Sequence, residues 1–357
     1  MKYSDDECKR ICELTHQYLH WTIYKICNDR NITEETLKPY QTSYYERGEL
    51  SIPKIYEHLL GHASNKSQGG NAIKKVFGSN WSGIEDHKER WEKLRKITNG
   101  FDPKSIMNFG TEANFRIAVA NAYDQSEFTG PAEGYIRSIY YIGHFLSQKQ
   151  FQNGKDVYDY FDAYYEPNPT ELINHLLSIK ISGKKLLYGL GQGLLRDALK
   201  ELGYTNFVKP DVHIKDIAVG LNIVQTQNSD AKVAEVVADV AHRGGITPYY
   251  LDKFFFLIGS GEVYRKGHEY IRNRLKRDDS ISRKNSFIEY VLERVYLPTL
   301  EVGQSVALLV SYRDSGLFRG QIGKIIQTEK SSLYEIEFSG NRKLLLYPTE
   351  FMMLHNN

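Results

Sequence analysis

The sequence predicts a mainly helical protein with a small β-barrel at its C-terminus. Apolar residues recur at helical spacing from Asp5 to Asp29 and through most of the chain between Thr111 and Val295. After Pro298 the pattern changes to short runs in which apolar and polar residues alternate. The length of 357 residues is enough for several compact units. We expect three: an N-terminal helical region (1–104), a central helical domain (105–297) and the barrel (298–357).

Composition sets few limits on function. The formal net charge is only +2, so any surface that binds nucleic acid must be local. The three cysteines, Cys8, Cys12 and Cys27, are too few for a disulfide framework and fit a reducing compartment. Cys8 and Cys12 lie one helical turn apart, and we expect ordinary core or surface thiols there rather than a metal site. The charged first ten residues and the lack of a long apolar run predict a cytoplasmic protein without a membrane partner.

The N-terminal region begins with a predicted amphipathic helix over Asp5–Asp29, and further helices follow it. The polar, glycine-containing stretch Asn65–Asn71 predicts a loop. A helix follows around Trp81 and Trp91. Asn-Gly and Asp-Pro in Asn99–Ser105 predict the end of a helix and a boundary.

In the central domain, turn sequences rich in glycine and proline separate the helical segments. Five aromatic residues lie within Tyr158–Tyr165, a density more typical of helix packing than of base stacking. We expect structural roles for His144, His213 and His242.

A pair of closely spaced glycines precedes one of these helices. Gly189 and Gly191 permit a tight turn that brings backbone amides close to a ligand, and a helix begins at Gln192. Such a helix start favours an anion such as phosphate. Taken alone, the same pattern is more typical of an ordinary helix–helix turn than of an anion site.

An aspartate at a helix entry follows this helix. Gly203 ends the helix, and Pro210 then disfavours helical geometry at the residue before it. Asp211 is therefore expected at the start of the next helix, with its carboxylate near the positive helix end. The order of hairpin, helix, glycine and capped aspartate is uncommon.

The segment LYGLGQGLL, a helix and then PDVH resembles the motif of the helix-hairpin-helix DNA glycosylases, which include endonuclease III, the adenine mismatch glycosylase and the alkylbase glycosylases. Their motif reads roughly L-P-G-V-G-x-K-T-A, followed by V-D-T-H. In the endonuclease III branch the motif lysine precedes the aspartate by eighteen positions, the same spacing as Gly193 and Asp211. The resemblance covers about residues 108–260 and implies a helix-hairpin-helix glycosylase-like core for residues 105–297.

The resemblance implies site residues. Asp211 takes the place of the catalytic carboxylate, which stabilises positive charge on the sugar and orients the attacking water. The hairpin residues take the place of a DNA phosphate clamp: Gly189, Gly191, Gln192 and Gly193. A glutamine-bearing loop enters the gap left by the flipped base in this family, and FRIAVANAYDQSE resembles it, with Gln125 at the tip.

Two departures from the family pattern limit the reaction and the cofactors that the resemblance implies. Bifunctional members use the motif lysine as a Schiff-base nucleophile, and Gly193 stands at that position. The resemblance therefore implies a monofunctional enzyme, unless Lys184 or Lys185 replaces the motif lysine. Cysteines for the iron–sulfur cluster of many relatives are absent beyond Cys27. No cofactor is expected, apart from a monovalent cation at the hairpin.

The segment Tyr264–Lys284 carries eight Lys or Arg residues and three acidic residues. On one helix, Arg272, Lys276 and Arg283 would share a side and contact DNA phosphates. A solvated helix face explains the same composition equally well.

The predicted barrel has six basic and six acidic residues between Thr299 and Leu354, a poor balance for nonspecific DNA binding. It resembles small SH3-like modules, which bind or brace a protein partner.

The sequence thus predicts a monofunctional DNA glycosylase that flips a damaged or modified base from double-stranded DNA and leaves an abasic site. Base excision repair and antiviral defence against modified phage DNA remain equally open. The alternative is a noncatalytic helix-hairpin-helix DNA-binding protein, which would not need a carboxylate at Asp211. A scaffold built around the barrel is a third interpretation.

Overall fold

The computed structural model describes residues 3–30, 44–65, 70–78, 85–166, 168–181, 183–264, 270–272, 277–296, 303, 305–308, 317, 321–328, 334–346 and 351–353. These residues are mainly helical, with a small antiparallel sheet near the C-terminus. None of the described helices is both long and apolar enough to cross a membrane.

The described part of the chain contains fourteen helices and nine strands. The helices are α1 (Asp5–Arg30), α2 (Ile52–Ala63), α3 (Gly70–Phe77), α4 (Glu85–Ile97), α5 (Pro103–Met107), α6 (Glu112–Ala122), α7 (Gly130–Leu146), α8 (Gly154–Tyr165), α9 (Pro169–Ser178), α10 (Gln192–Glu201), α11 (Val212–Gly220), α12 (Asp230–Arg243), α13 (Pro248–Ser260) and α14 (Arg277–Leu292). The strands are β1 (Lys180–Ile181), β2 (Lys184–Lys185), β3 (Glu262–Tyr264), β4 (Tyr270–Arg272), β5 (Ser305–Leu308), β6 (Ile322–Thr328), β7 (Tyr334–Phe338), β8 (Arg342–Leu346) and β9 (Phe351–Met353).

Helix starts follow local capping chemistry. Thr111 and Ser229 accept hydrogen bonds from the backbone three residues later, at the entries of α6 and α12. Asn153 forms a capping box with Asp156 at the start of α8. The predicted helix over Asp5–Asp29 is confirmed by α1.

Helices α2 to α10 enclose a first hydrophobic core. Tyr56, Tyr135 and Phe161 are almost fully buried in it. Tyr158 and Tyr165 are also buried, and both pack against the ring of Tyr204. The aromatic cluster of α8 therefore packs helices together, as predicted.

Helix α1 packs with α11 to α14 around a second core, which includes Ile11, Phe255 and Phe287. The chain passes from the first core to the second between Phe207 and Val208. The two cores therefore do not divide the helices at the predicted boundary of residue 104. Helix α1 packs with α11 to α14, and α2 to α4 pack with α5 to α10.

The predicted turn at Asn99–Ser105 is present. Asn99, Gly100 and Phe101 all have a positive φ, and Asp102 then caps α5. The first core continues across this turn, since Phe101 contacts the ring of Trp91. Of the predicted loop at 65–71, Gly70 and Asn71 instead begin α3, and residues 66–69 lie outside the described part of the chain, as does Trp81.

The C-terminal sheet has five antiparallel strands in the order β8-β7-β6-β5-β9. The predicted alternation is confirmed in β7, where Tyr334, Ile336 and Phe338 are buried and the two glutamates between them are partly exposed. Tyr334 also lies close enough to Gln17 of α1 for a side-chain hydrogen bond. The sheet therefore contacts the second helical core.

Candidate active site

The glycine hairpin has the backbone shape that its sequence predicts. Gly189 has a φ of 85°, and a side chain there would clash with Ser138 Oγ of α7. Gly191 is the N-cap of α10, with extended backbone. A Cβ at Gly191 or Gly193 would meet nothing within 4 Å. A side chain at either position would therefore begin in open space, and the first amides of a helix, which lack intrahelical partners, can bind an anion.

Buried leucines fix the hairpin to the first core. Leu187 and Leu190 are 2% and 3% exposed, and the amide of Leu190 donates to the carbonyl of Leu187 at 3.2 Å. Leu195, on the inner face of α10, is fully buried. The open glycine backbone is thus held on a rigid support.

Asp211 is the N-cap of α11, as predicted. Its Oδ1 accepts hydrogen bonds from the amides of His213 at 2.9 Å and Ile214 at 3.0 Å. Within the described residues, Oδ2 accepts no hydrogen bond and the carboxylate forms no ion pair. The side chain is half-buried. One oxygen is therefore anchored while the other can face a ligand.

Asp211 lies just after the chain passes between the two helical cores. Lys209, two residues earlier, donates its backbone amide to Asp252 Oδ1 of α13 at 2.7 Å. Its Nζ lies 2.7 Å from Asp197 Oδ2 of α10. Asp197 is five residues after Gln192, about 7.5 Å along the helix axis. The segment that leads to Asp211 is therefore tied to the helix that begins at the hairpin.

A buried ion network supports this tie. Lys200 of α10 contacts both Asp197, at 2.9 Å, and Asp252, and its side chain is 3% exposed. Burial opposes the charge on Lys200, but the two carboxylates outweigh burial and raise its pKa. Lys200 and Lys209 together hold the pKa of Asp197 well below its usual range despite burial. Asp197 is therefore charged at neutral pH beside Lys200 and Lys209, whereas burial raises the pKa of Asp252, the other partner of Lys200.

The network continues to α2 through His62. Its Nδ1 lies 3.3 Å from Asp197 Oδ2 and its Nε2 lies 3.2 Å from Glu201 Oε2. Burial opposes the charged ring, but these two carboxylates outweigh burial and raise its pKa. Lys253 of α13 completes the group, 2.9 Å from Glu201 Oε1. Helices α2, α10 and α13 are thus joined by alternating charges.

His58, His62 and Glu201 have the donor types of a zinc site, and their ligand atoms lie within 4.8 Å of one another. Burial and the neighbouring His62 lower the pKa of His58 to about 4, so this ring is neutral. The Nε2 of His58 lies 3.0 Å from the carbonyl of Ala198. Since both nitrogens of His62 already contact carboxylates, the ion network accounts for this group without a metal.

The predicted glutamine loop lies between α6 and α7. Gln125 is exposed, and its backbone amide donates to the carbonyl of Ala120 at 2.9 Å. Asp124, the residue before it, has a φ of 53°. The loop enters α7, and Ser138, which contacts Gly189, lies about 12 Å along that helix from Gly130. The loop and the hairpin are therefore both supported by α7.

The predicted basic helix is wrong. Arg272 lies on β4, where it pairs with Glu262 of β3, and α14 begins only at Arg277. Arg272 and Arg283 therefore do not share one face of a single helix. Arg283 donates to the carbonyl of Ser260 at 2.9 Å, at the end of α13. Lys276 lies outside the described residues, and a DNA contact by Arg272 or Lys276 stays a prediction.

The three histidines have structural surroundings. His213 packs against Gly259 and the ring of Phe256. His242 Nε2 lies 3.0 Å from Asn206 Oδ1, and His144 lies near the ring of Tyr140. Cys8 and Cys12 are buried free thiols, and burial raises the pKa of Cys12 to about 12.

Comparison with known protein families, with curated proteins and with solved structures found no significant match to this chain.

Proposed function

We propose that this protein is a monofunctional DNA glycosylase that removes a damaged or modified base from double-stranded DNA by hydrolysis. The observation that carries the proposal is the geometry of Asp211. Its carboxylate has one oxygen fixed by two amides and one without a partner among the described residues. Such a carboxylate can stabilise a cationic sugar without moving.

The position of each residue suggests its role in binding DNA or in the reaction. The open amides of Gly191 to Gly193 bind a backbone phosphate, and the half-buried Asp211 faces the sugar of a flipped nucleotide. The charged Oδ2 orients the attacking water. Because Gly193 offers no amine, water is the nucleophile and the product is an abasic site.

The substrate that we propose is a bulky base. A Cβ on either Gly191 or Gly193 meets no neighbour within 4 Å, so the first turn of α10 does not narrow the approach. A modified base of viral DNA and an alkylated base of host DNA both fit this description. The helix-hairpin-helix fold and the SH3-like form of the C-terminal sheet are part of the same proposal.

The test uses duplexes that each carry one candidate base: uracil, an alkylated base, an oxidised base, or a hydroxymethylated or glucosylated base. We expect strand breaks on at least one duplex, only after alkali, and their loss in Asp211→Asn. Asparagine caps a helix as well as aspartate does, so this variant keeps its fold while losing the charge. Tight binding without breaks on any duplex would instead favour the noncatalytic binder.

Breaks that form without alkali and that borohydride traps as a protein–DNA adduct would contradict the water mechanism. They would identify an amine nucleophile, and Lys184→Gln and Lys185→Gln would then show which lysine supplies it.

A further inference from the structure

A two-stranded ribbon directly before the glycine hairpin carries three exposed lysines. In this ribbon β1 and β2 are antiparallel, with Lys180 opposite Lys185 and Ile181 opposite Lys184. All three lysines are exposed. None of them forms an ion pair with a carboxylate in the described part of the chain. The ribbon is therefore a compact source of positive charge.

The pairing of Lys180 with Lys185 is unfavourable by itself. Residues directly opposite on antiparallel strands have Cβ atoms about 4.5–5.5 Å apart and point to the same face. Like charges in this position destabilise the strand pair. A ribbon of two residues per strand gains little from its own backbone pairing to offset that cost. An anion that contacts both amines would remove the repulsion.

The base of the ribbon is fixed next to the phosphate-binding turn. The amide of Leu186 donates to the carbonyl of Ile179 at 3.0 Å, and Leu186 is fully buried. Gly189 follows Lys185 by four positions, a path of at most about 14 Å. Phosphates follow one another along each DNA strand at about 3.4 Å of helix axis. The ribbon thus lies within a few phosphates of the hairpin.

We propose that Lys180 and Lys185 form a second phosphate-binding site, which contacts the backbone of the same duplex that the glycine hairpin binds. This inference rests on the proposed function, because it takes DNA as the ligand. The two sites together hold the duplex at two points along one strand. The ribbon contributes affinity and orientation and takes no part in breaking the glycosidic bond.

The salt dependence of DNA binding tests this site. We expect the double variant Lys180→Gln/Lys185→Gln to bind an unmodified duplex at least about 10-fold more weakly at low salt, with the slope of log affinity against log salt smaller by about 1.8, or about 0.9 for each lost phosphate contact. The matched control is Lys9→Gln/Lys232→Gln, on α1 and α12 of the second core, which removes the same total charge. The control should keep the wild-type slope.

Equal slopes in the two double variants would overturn the ribbon site while leaving the glycosylase proposal intact. Base excision by the Lys9→Gln/Lys232→Gln control at saturating enzyme should stay within about 3-fold of wild type, in contrast to Asp211→Asn. Duplex binding by the wild type without any base excision would overturn the glycosylase proposal alone. A wild type that does not bind duplex DNA at low salt would overturn both.

Discussion

In the described part of the chain two aspartates cap helices next to a proline, and we propose a chemical role for only one of them. Asp102 stands before Pro103 and accepts a hydrogen bond from the amide of Lys104 at 3.0 Å. Asp211 stands after Pro210 and accepts two amides. Both side chains are half-buried, and both are favoured by the same local rule.

The surroundings of the two aspartates differ. Asp102 lies in a turn between α4 and α5, inside the first core's sequence range. Asp211 lies where the chain passes between the cores, and Lys209 ties its segment to both α10 and α13. The comparison teaches that a capping aspartate becomes a candidate catalytic group through long-range contacts, which the local sequence does not encode.

Exchange of each aspartate for asparagine tests the comparison most directly. We expect Asp211→Asn to lower the rate of base excision by at least about 10³-fold, since a fixed charge facing the sugar supplies transition-state stabilisation of about 4 kcal/mol. Asp102→Asn should leave the rate unchanged. Single-turnover rates on the best duplex of the panel provide the measurement.

Both asparagine variants should unfold in urea at nearly the same midpoint as the wild type, because the cap is retained. Equal rates for the two variants would show that Asp211 is only a cap, and the comparison would fail.

The ion network predicts the next largest effect. Lys200→Met leaves Asp197 and Asp252 as buried charges without their shared partner, and breaking a buried pair this way costs about 3–5 kcal/mol. Urea unfolding measures the loss. Lys232→Met, which breaks an exposed pair with Glu235, is the control and should change stability by less than about 0.5 kcal/mol. A similar small loss in both variants would mean that the network does not hold the two cores together.

Local rules predicted the parts of this site that depend on neighbours in sequence. The left-handed Gly189, the start of α10 at Gln192 and the cap at Asp211 follow from steric limits and capping preferences within a few residues. The long helix α1 follows from its apolar spacing in the same way.

The ion network could not be predicted from such rules. Its contacts join Lys200 to Asp252 across 52 positions and Lys209 to Asp197 across 12, and each residue alone looks like an ordinary surface charge. The β1–β2 ribbon escaped prediction because two-residue strands have too few positions to show alternation. Arg272 was misplaced because helical spacing was assumed from Arg272 to Arg283, whereas Arg272 lies on β4.

The pH dependence of stability sharpens the role of His62. Its pKa is raised in the folded protein, so its contribution is fully present below the ordinary value of about 6.5 and is lost as pH rises through the raised pKa. We expect the free energy of unfolding to fall over this window, with a slope of at most about 1.4 kcal/mol per pH unit. His62→Gln should flatten the slope. His144→Gln, outside the network, should not.

His58 affects the free energy of unfolding at lower pH than His62 does. Its pKa is lowered to about 4, so the unfolded chain binds a proton first and stability falls as pH drops below about 6.5. A titration of unfolding free energy against pH therefore separates the two histidines, because His58 acts below about pH 6.5 and His62 above it. If the slope above this pH were unchanged in His62→Gln, a charged His62 would be contradicted.

Gly193→Lys tests whether the start of α10 and Asp211 face the same ligand. The site has room for the new side chain, since a Cβ there meets nothing within 4 Å. The gain of about 0.8–1.0 kcal/mol in helix propensity is offset by a cation near the positive helix end, which costs about 0.3–1 kcal/mol, so stability should change by less than about 0.5 kcal/mol. The informative result is therefore whether the new amine reacts with the DNA.

An amine at position 193 that reaches C1′ of the sugar held against Asp211 displaces the base, and opening of the sugar ring gives a Schiff base, which borohydride reduces to a stable protein–DNA adduct. We expect this adduct in Gly193→Lys and not in the wild type, visible as a shifted band on a denaturing gel. Lys104, beside Asp102, provides the internal contrast, since its exposed amine is present in every variant and we expect it to trap no DNA. A Gly193→Lys protein that binds duplex and excises the base but forms no adduct would place the sugar out of reach of the first turn of α10. The hairpin and Asp211 would then contact different parts of the DNA.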